Sequence, residues 1–145
     1  MCNIYIILCV IYILIMCNNI FKKIITREIP AYIVGENDTF LAFLDIHPLK
    51  AGHTLVIPKK EIDYLFDIED DLLEDMILFS KKIARKIKSV IPCKRIAMAV
   101  VGLDVPHAHI HLIPINSIED FDFNKQTEII KKDEMEKICE LIFNA

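Results

Sequence analysis

Apolar side chains recur at helical spacing in one long segment of the chain. An i, i+4, i+7 pattern joins Leu72, Met76, Phe79, Ile83 and Ile87. This spacing places them on one face of an amphipathic helix of about 20 residues. Asp67, Asp70 and Asp71 come just before it and suit the positive end of the helix dipole. Shorter helices are predicted near both ends of the chain, over residues 20–26 and 133–143.

Short runs of apolar, β-branched and aromatic residues between Pro, Gly and Asn predict five strands. Their expected spans are 32–35, 40–45, 54–57, 95–101 and 105–115. Pro106 and Pro114 lie near the two ends of the fifth run, which predicts an edge strand or one with limited pairing there. Short links between strands and a single long helix favour an α+β domain with an antiparallel sheet.

The N-terminal segment does not follow this pattern. Residues 4–17 are almost wholly apolar and uncharged, yet a helix that spans a membrane needs roughly 20 residues. Three interpretations stay open: translation begins at Met16, the segment is a short membrane anchor, or it forms an extra strand or helix. We divide the chain into this segment (1–18), a central domain (19–116) and a C-terminal tail and helix (117–145). Any membrane association would run through residues 4–17.

Composition and charge exclude several classes of function. The net charge is −4, which speaks against a dedicated nucleic-acid surface. The chain has only three glycines, and they are far apart, so it carries neither a P-loop nor a Rossmann fingerprint. The five cysteines contain no Cys-x-x-Cys pair, which indicates a reducing compartment and predicts a cytoplasmic protein.

Three of the five histidines occupy alternate positions: His107, His109 and His111. In a strand, alternate side chains point to the same face. The three imidazoles would then stand in a row, and the opposite face would carry Ala108, Ile110 and Leu112. Imidazoles titrate near neutral pH and act as nucleophiles, proton donors and metal ligands.

The residues alone leave several interpretations of this row open. A structural role would have to explain why three histidines crowd one strand face. A metal site is favoured because neutral imidazoles bind zinc well, although no second segment rich in His or Cys is visible. In a catalytic site, one imidazole would attack phosphorus and a neighbour would protonate the leaving group. A phosphoryl group fits between side chains about 6.5 to 7 Å apart along a strand.

Residues 105–114, Val-Pro-His-Ala-His-Ile-His-Leu-Ile-Pro, resemble the signature of the histidine triad (HIT) family. Two further blocks agree with that family. Residues 20–31 resemble its opening segment, and residues 40–48 with 52–59 resemble its central block. The resemblance runs in the same order over residues 19–116.

This resemblance implies an α+β domain that forms a homodimer by joining two antiparallel sheets into one. It implies a hydrolase or transferase acting at the α-phosphorus of purine nucleoside phosphoramidates, acyl-adenylates or dinucleotides, without a cofactor. The family's nucleophile, which forms a nucleotidyl-histidine intermediate, matches His109. His111 would contact the phosphoryl oxygens and the leaving group, while His107 and His53 would belong to the hydrogen-bond chain that holds the row.

The resemblance also implies nucleotide-binding residues. Asp45 matches the family's carboxylate that receives the ribose hydroxyls. The family's apolar pocket around the base is matched in this chain by Phe21, Ile24, Phe43 and Ile46. Without the resemblance, the four apolar residues would be assigned to the core, and Asp45 could equally be the cap of the turn at Pro48. Asp104 occupies the place of a hydroxyl that donates to the scissile phosphate; an ionised carboxylate accepts but does not donate.

Two departures from the family bear on metal. Many members carry a Cys-x-x-Cys pair where Asn19 to Lys22 stands, and a zinc-supporting histidine at the position of Glu61. Both are missing from this chain, so we expect no metal. Two rival functions stay open: a nucleotide-binding or interaction protein with weak or vestigial activity, and a metal hydrolase built on the histidine row.

Overall fold

The computed structural model describes residues 19–125 and 127–145. The predictions for the N-terminal segment therefore lie outside the described residues. The helices are α1 (Ile20–Ile25), α2 (Asp70–Val90) and α3 (Lys132–Phe143), with short 3₁₀ helices at Leu65–Asp67 and Ile118–Asp120. The strands are β1 (Ile33–Glu36), β2 (Phe40–Leu44), β3 (Thr54–Pro58), β4 (Arg95–Ala99) and β5 (Ile110–Ile115). Within this part of the chain, no helix is long and apolar enough to cross a membrane.

The five strands form one antiparallel sheet in the order β1-β2-β3-β5-β4. The predicted α+β class is confirmed. Of the two alternatives predicted for the fifth strand, the edge position is wrong, because β5 pairs with both β3 and β4, and the limited pairing near Pro114 is confirmed. Its pairing with β3 ends at Leu112, whereas Pro114 is opposite Ile96 of β4. A residue without an N–H is tolerated at position 114 because only one neighbouring strand reaches it.

Strand β5 is also shorter than its predicted span of 105–115. Pro106 has no N–H to offer a neighbouring strand. The N–H of His107 donates to the carbonyl of Val105 (2.8 Å), and the N–H of Ala108 donates to the carbonyl of Ile62 (2.7 Å). These bonds replace sheet pairing, so His107 and His109 precede the strand and only His111 lies within it.

Helices α2 and α3 cover one face of the sheet and form the main core with it. The expected face of α2 is confirmed, since Met76, Phe79, Ile83 and Ile87 are buried. The sheet contributes Val34, Phe40, Ala42, Val56, Ile110 and Leu112 to the same core, which Ala108 joins from just before β5, and α3 contributes Met135, Ile138 and Ile142. A Cβ at Gly35 would lie 2.4 Å from Cδ1 of Ile83, so a larger residue where α2 passes over β1 would require the end of the Ile83 side chain to shift.

Helix α1 covers part of the opposite face with a smaller apolar cluster. Phe21 and Ile24 pack there against residues of β2 and β3, namely Leu41, Phe43, Leu55 and Ile57. Leu55 is directly opposite His111 in the sheet, and opposed residues share a face. The helix thereby brings its first turn to the histidine side of the sheet.

Candidate active site

His107 is fully buried and makes two hydrogen bonds through its ring. Its Nε2 lies 2.8 Å from the carbonyl oxygen of Pro58, and its Nδ1 lies 2.9 Å from the amide nitrogen of Asn19. The carbonyl can only accept and the amide nitrogen can only donate, so Nε2 carries the proton and Nδ1 accepts. Burial lowers the pKa of His107, with the Pro58 carbonyl acting in the opposite direction. The ring is neutral at neutral pH.

His109 occupies the middle of the row. Its Nδ1 lies 2.7 Å from the main-chain oxygen of His107, so Nδ1 donates to that oxygen. In the neutral ring, the lone pair is then on Nε2, which is the nitrogen that can attack an electrophile. The Phe21 ring meets His109 edge to face, with the ring centroids 5.2 Å apart.

His111 receives its orientation from His53. The main-chain N–H of Leu49 donates to Nδ1 of His53 (3.1 Å), which leaves the proton of that ring on Nε2. Nε2 of His53 lies 3.0 Å from Nδ1 of His111 and donates to it. The proton of His111 is therefore on Nε2, so this ring presents an N–H donor beside the lone pair of His109. The centroids of these two rings are 4.9 Å apart.

The protonation states that this series of hydrogen bonds requires agree with the burial of the His53 and His111 rings. Burial lowers the pKa of His53 to about 4, and the neighbouring His109 adds to the effect. Burial lowers the pKa of His111 to about 3, assisted by His53 and His109 and opposed by Asp45. Both rings are neutral at neutral pH, as each must be to donate through one nitrogen and accept through the other.

The apolar residues that the resemblance assigned to the base pocket divide into two groups. Phe21, Ile24 and Phe43 lie together in the small cluster beside the histidines. The rings of Phe21 and Phe43 meet edge to face with centroids 5.5 Å apart. Ile46 is 63% exposed and is not part of that cluster.

The two assigned carboxylates differ in their surroundings. One oxygen of Asp45 accepts the N–H of His47 (2.8 Å), which is the turn-capping role that the sequence also allowed. Its other oxygen lies 3.8 Å from Nε2 of His53 and so faces the histidines. Asp104 is exposed in the loop before Pro106, just after Gly102, whose φ is +69°.

Comparisons with known proteins identify the family of this chain. A family model of the HIT domain matches residues 26–118. The chain belongs to the HIT family. The four histidines described above therefore belong to a HIT protein, and this family includes nucleotide hydrolases and transferases.

Three HIT relatives illustrate the likeness. A HIT-like protein of Borreliella burgdorferi is 39% identical over 129 residues, covering 84% of this chain and 91% of its own length. The adenosine 5'-monophosphoramidase HNT1 of Saccharomyces cerevisiae is 38% identical over 96 residues, 66% of this chain and 61% of the yeast protein. The crystal structure of a HIT-like protein involved in cell-cycle regulation from Bartonella henselae has a TM-score of 0.75 at 33% identity, covering 88% of this chain and 95% of that one.

One group of described residues in this HIT domain lies close enough together to surround a metal ion. Asp45, His53 and His111 each offer one ligand atom, and these atoms lie within 4.8 Å of one another. A metal on Nε2 of His53 would need the lone pair of that nitrogen, but the lone pair of Nδ1 already receives the N–H of Leu49. The ring would have to lose its last proton or break that bond, so the donor set does not fit a metal as it stands.

Several contacts of the site were missed from sequence. The sequence assigned Asn19 no part in the site, yet its side chain caps α1 and its amide also reaches His107, 88 positions away. Phe123 meets the ring of His111 edge to face at 5.2 Å, from the tail that the family resemblance does not cover. The Pro58 carbonyl and the Leu49 N–H are main-chain groups, which no residue pattern marks.

Proposed function

We propose that this HIT protein hydrolyses or transfers nucleotides at the α-phosphorus of purine nucleoside phosphoramidates, acyl-adenylates or dinucleotides, through a nucleotidyl-His109 intermediate. One observation supports this most directly. The hydrogen bonds leave His109 with a lone pair on Nε2 and His111 with a proton on Nε2, side by side on one face. A nucleophile next to a proton donor is what substitution at phosphorus requires.

In the first step, Nε2 of His109 bonds to the α-phosphorus and the bond from phosphorus to the leaving group breaks. The leaving group departs with the bonding electron pair, accepts a hydrogen bond from Nε2–H of His111 and takes its proton from solvent, because the neutral His111 ring has only that one proton. The nucleotidyl ring of His109 keeps its proton on Nδ1 and is cationic. His111, whose ring centroid lies 4.9 Å from that of His109, stays neutral, so the cationic ring has no second charged imidazole beside it.

In the second step, water or another acceptor attacks the phosphorus from the side of the departed group. Nε2–H of His111 donates a hydrogen bond to the departing or attacking group, the proton of the attacking oxygen passes to solvent, and the bond between phosphorus and Nε2 of His109 breaks. His109 recovers its lone pair and the nucleotide is released. Both histidines end in their starting protonation states, so no metal ion is needed to generate a nucleophile.

Binding would use the residues around the row. The Asp45 oxygen that faces the histidines would accept hydrogen bonds from the ribose hydroxyls. The base would be contacted by the clustered side chains of Phe21, Ile24 and Phe43, and by Ile46 from the exposed loop. The exposed Asp104 would meet the phosphate side and disfavour strongly anionic leaving groups by repulsion. We place this reaction in the cytoplasm, where Cys93 and Cys139, both free thiols, are kept reduced.

Turnover of an adenosine phosphoramidate tests the proposal against its rivals. We expect release of AMP by the wild type in the presence of EDTA, and a loss of several orders of magnitude in the His109→Ala variant with nucleotide binding retained. Binding without turnover by the wild type would favour the vestigial-activity alternative. Turnover lost with EDTA and restored by zinc would favour the metal hydrolase.

A further inference from the structure

We propose that Asn19 is a positioning residue for the nucleophile. Its amide holds the His107 ring in one tautomer and one position, and the main-chain oxygen of His107 orients His109. This rests on the proposed function, because it assigns Asn19 a part in the same reaction. Asn19 is 1% exposed although it is a polar residue at the start of a helix. A helix cap needs no such burial, and this one has a second partner.

The orientation of the Asn19 amide is fixed by its neighbours. Its oxygen accepts the main-chain N–H groups of Phe21 (3.0 Å) and Lys22 (3.3 Å) at the start of α1. The oxygen cannot also face His107, so the NH₂ group must do so. The bond of 2.9 Å to Nδ1 of His107 therefore has a defined direction, from the amide to the ring.

This bond reaches the nucleophile through two further bonds. Nδ1 of His107 is occupied as an acceptor, so its proton stays on Nε2 and is donated to the Pro58 carbonyl. The ring is then clamped between α1 and β3. The main-chain oxygen of the clamped residue receives Nδ1–H of His109 (2.7 Å). A shift of His107 would move that oxygen and, with it, the direction of the attacking lone pair.

The charges around His107 show why a neutral amide matters at position 19. The carboxylates of Glu61 and Asp63 favour a protonated ring, and His109 disfavours one. Glu61 is itself paired with Lys22 of α1 at 2.9 Å. An additional carboxylate in contact with Nδ1 could be satisfied only by a proton on that nitrogen. Since Nε2 still donates to Pro58, His107 would then carry a positive charge next to His109.

Two variants separate this role from helix capping. Asp and Ser cap helices about as well as Asn does, so Asn19→Asp and Asn19→Ser preserve the cap. The first replaces the donor with an acceptor, and the second is too short to reach His107. Asn37→Asp is the matched control, because the Asn37 oxygen caps the β1–β2 turn through the N–H groups of Thr39 and Phe40.

The readouts are the ¹⁵N shifts of the His107 ring, kcat/KM with adenosine phosphoramidate, and the melting temperature, all on the full chain. At neutral pH we expect one protonated ring nitrogen in the wild type and two in Asn19→Asp. We expect kcat/KM to fall roughly 10- to 100-fold in both Asn19 variants with melting temperatures close to that of the wild type. Asn37→Asp should match the wild type in all three.

Unchanged His107 shifts in both Asn19 variants, or changed shifts with an unchanged rate, would overturn the proposal. A rate that falls only in step with the melting temperature would also overturn it, since capping alone would then explain the loss. A wild type without turnover would refute the proposed function and with it a role for Asn19 in that reaction. The shifts would still report whether Asn19 sets the tautomer of His107.

Discussion

The protonation of each imidazole of the row depends on groups that can only donate or only accept, directly for His107 and His109 and through His53 for His111. The Leu49 N–H and the carbonyl oxygens of Pro58 and His107 cannot reverse their roles. These main-chain groups, together with the Asn19 amide at His107, fix the protonation, so chemically identical side chains present different groups. His109 becomes the group that can attack and His111 the group that can donate, although they are two positions apart on one face.

Asp45 allows the binding proposal to be tested at a single residue. Its oxygen toward His47 caps a turn, and Asp45→Asn keeps an acceptor there while removing the charge. A hydrogen bond to a charged group contributes about 1.5 to 3 kcal/mol, so we expect ribonucleotide affinity to fall roughly ten- to hundredfold. Calorimetric titration of the wild type and the variant with ribo- and 2'-deoxynucleotides provides the comparison. Equal losses for both would leave Asp45 as a turn cap only.

The buried rings of His53 and His111 predict a loss of stability in acid. Their folded-state pKa values of about 4 and about 3 lie below the ordinary histidine pKa of 6.5. As the pH falls from 6.5 toward those values, the unfolded chain takes up protons that the folded chain does not. The free energy of unfolding therefore decreases through this window, and these rings contribute no such decrease above it.

Denaturant unfolding between neutral pH and about pH 4 measures this dependence. We expect a shallower decrease in His111→Asn than in the wild type, because one of the two rings no longer contributes. His47→Asn, at an exposed ring, is the control and should follow the wild type. Parallel curves for His111→Asn and the wild type would contradict the explanation.

At the scale of the elements, the helices and four of the five strands follow the sequence closely. The face of α2 and that of α3 could be predicted because a 3.6-residue period is a local signal. Strand β5 was misjudged in extent and in place. Its start depends on the bond from Ala108 to Ile62, and its interior position depends on pairing with β3 and β4, which are distant in sequence.

The candidate site, like the fold, could be predicted only in part from the sequence. The alternation of His107, His109 and His111 identified the row, and the family resemblance added His53 and the apolar pocket. The direction of the hydrogen bonds could not be read from the residues, because Pro58, Leu49 and His107 supply main-chain groups. Asn19 had a sufficient local explanation as a cap, which concealed its long-range bond to His107.

At the scale of the whole molecule, the two edges of the sheet differ. Beside β1, the thiol of Cys139 on α3 donates to the carbonyl of Ile33 (3.1 Å). The β4 edge and the loop after it expose a series of apolar side chains, namely Met98, Val100, Val101 and Leu103. An exposed edge of this kind is a template for pairing with another strand, so we propose that two copies join at β4 to form the continuous sheet of a homodimer.

A charge on that edge tests the dimer. We expect the wild type to sediment as a dimer and Met98→Lys as a monomer, because an edge lysine opposes strand pairing. Ile129→Lys is the matched control, since Ile129 is 91% exposed and lies away from the sheet. Analytical ultracentrifugation of the three proteins decides between the possibilities. A monomeric wild type, or a dimer that Met98→Lys leaves intact, would exclude the β4 interface.

The central claim is that His109, and no other histidine, carries the nucleotide during turnover. Rapid quenching of the full chain with adenosine phosphoramidate, followed by digestion without acid and mass spectrometry, locates the adduct directly. We predict adenylate on His109 alone in the wild type and no adduct in His109→Ala. Adenylate on His107 or His111, or turnover without any covalent intermediate, would contradict the assignment.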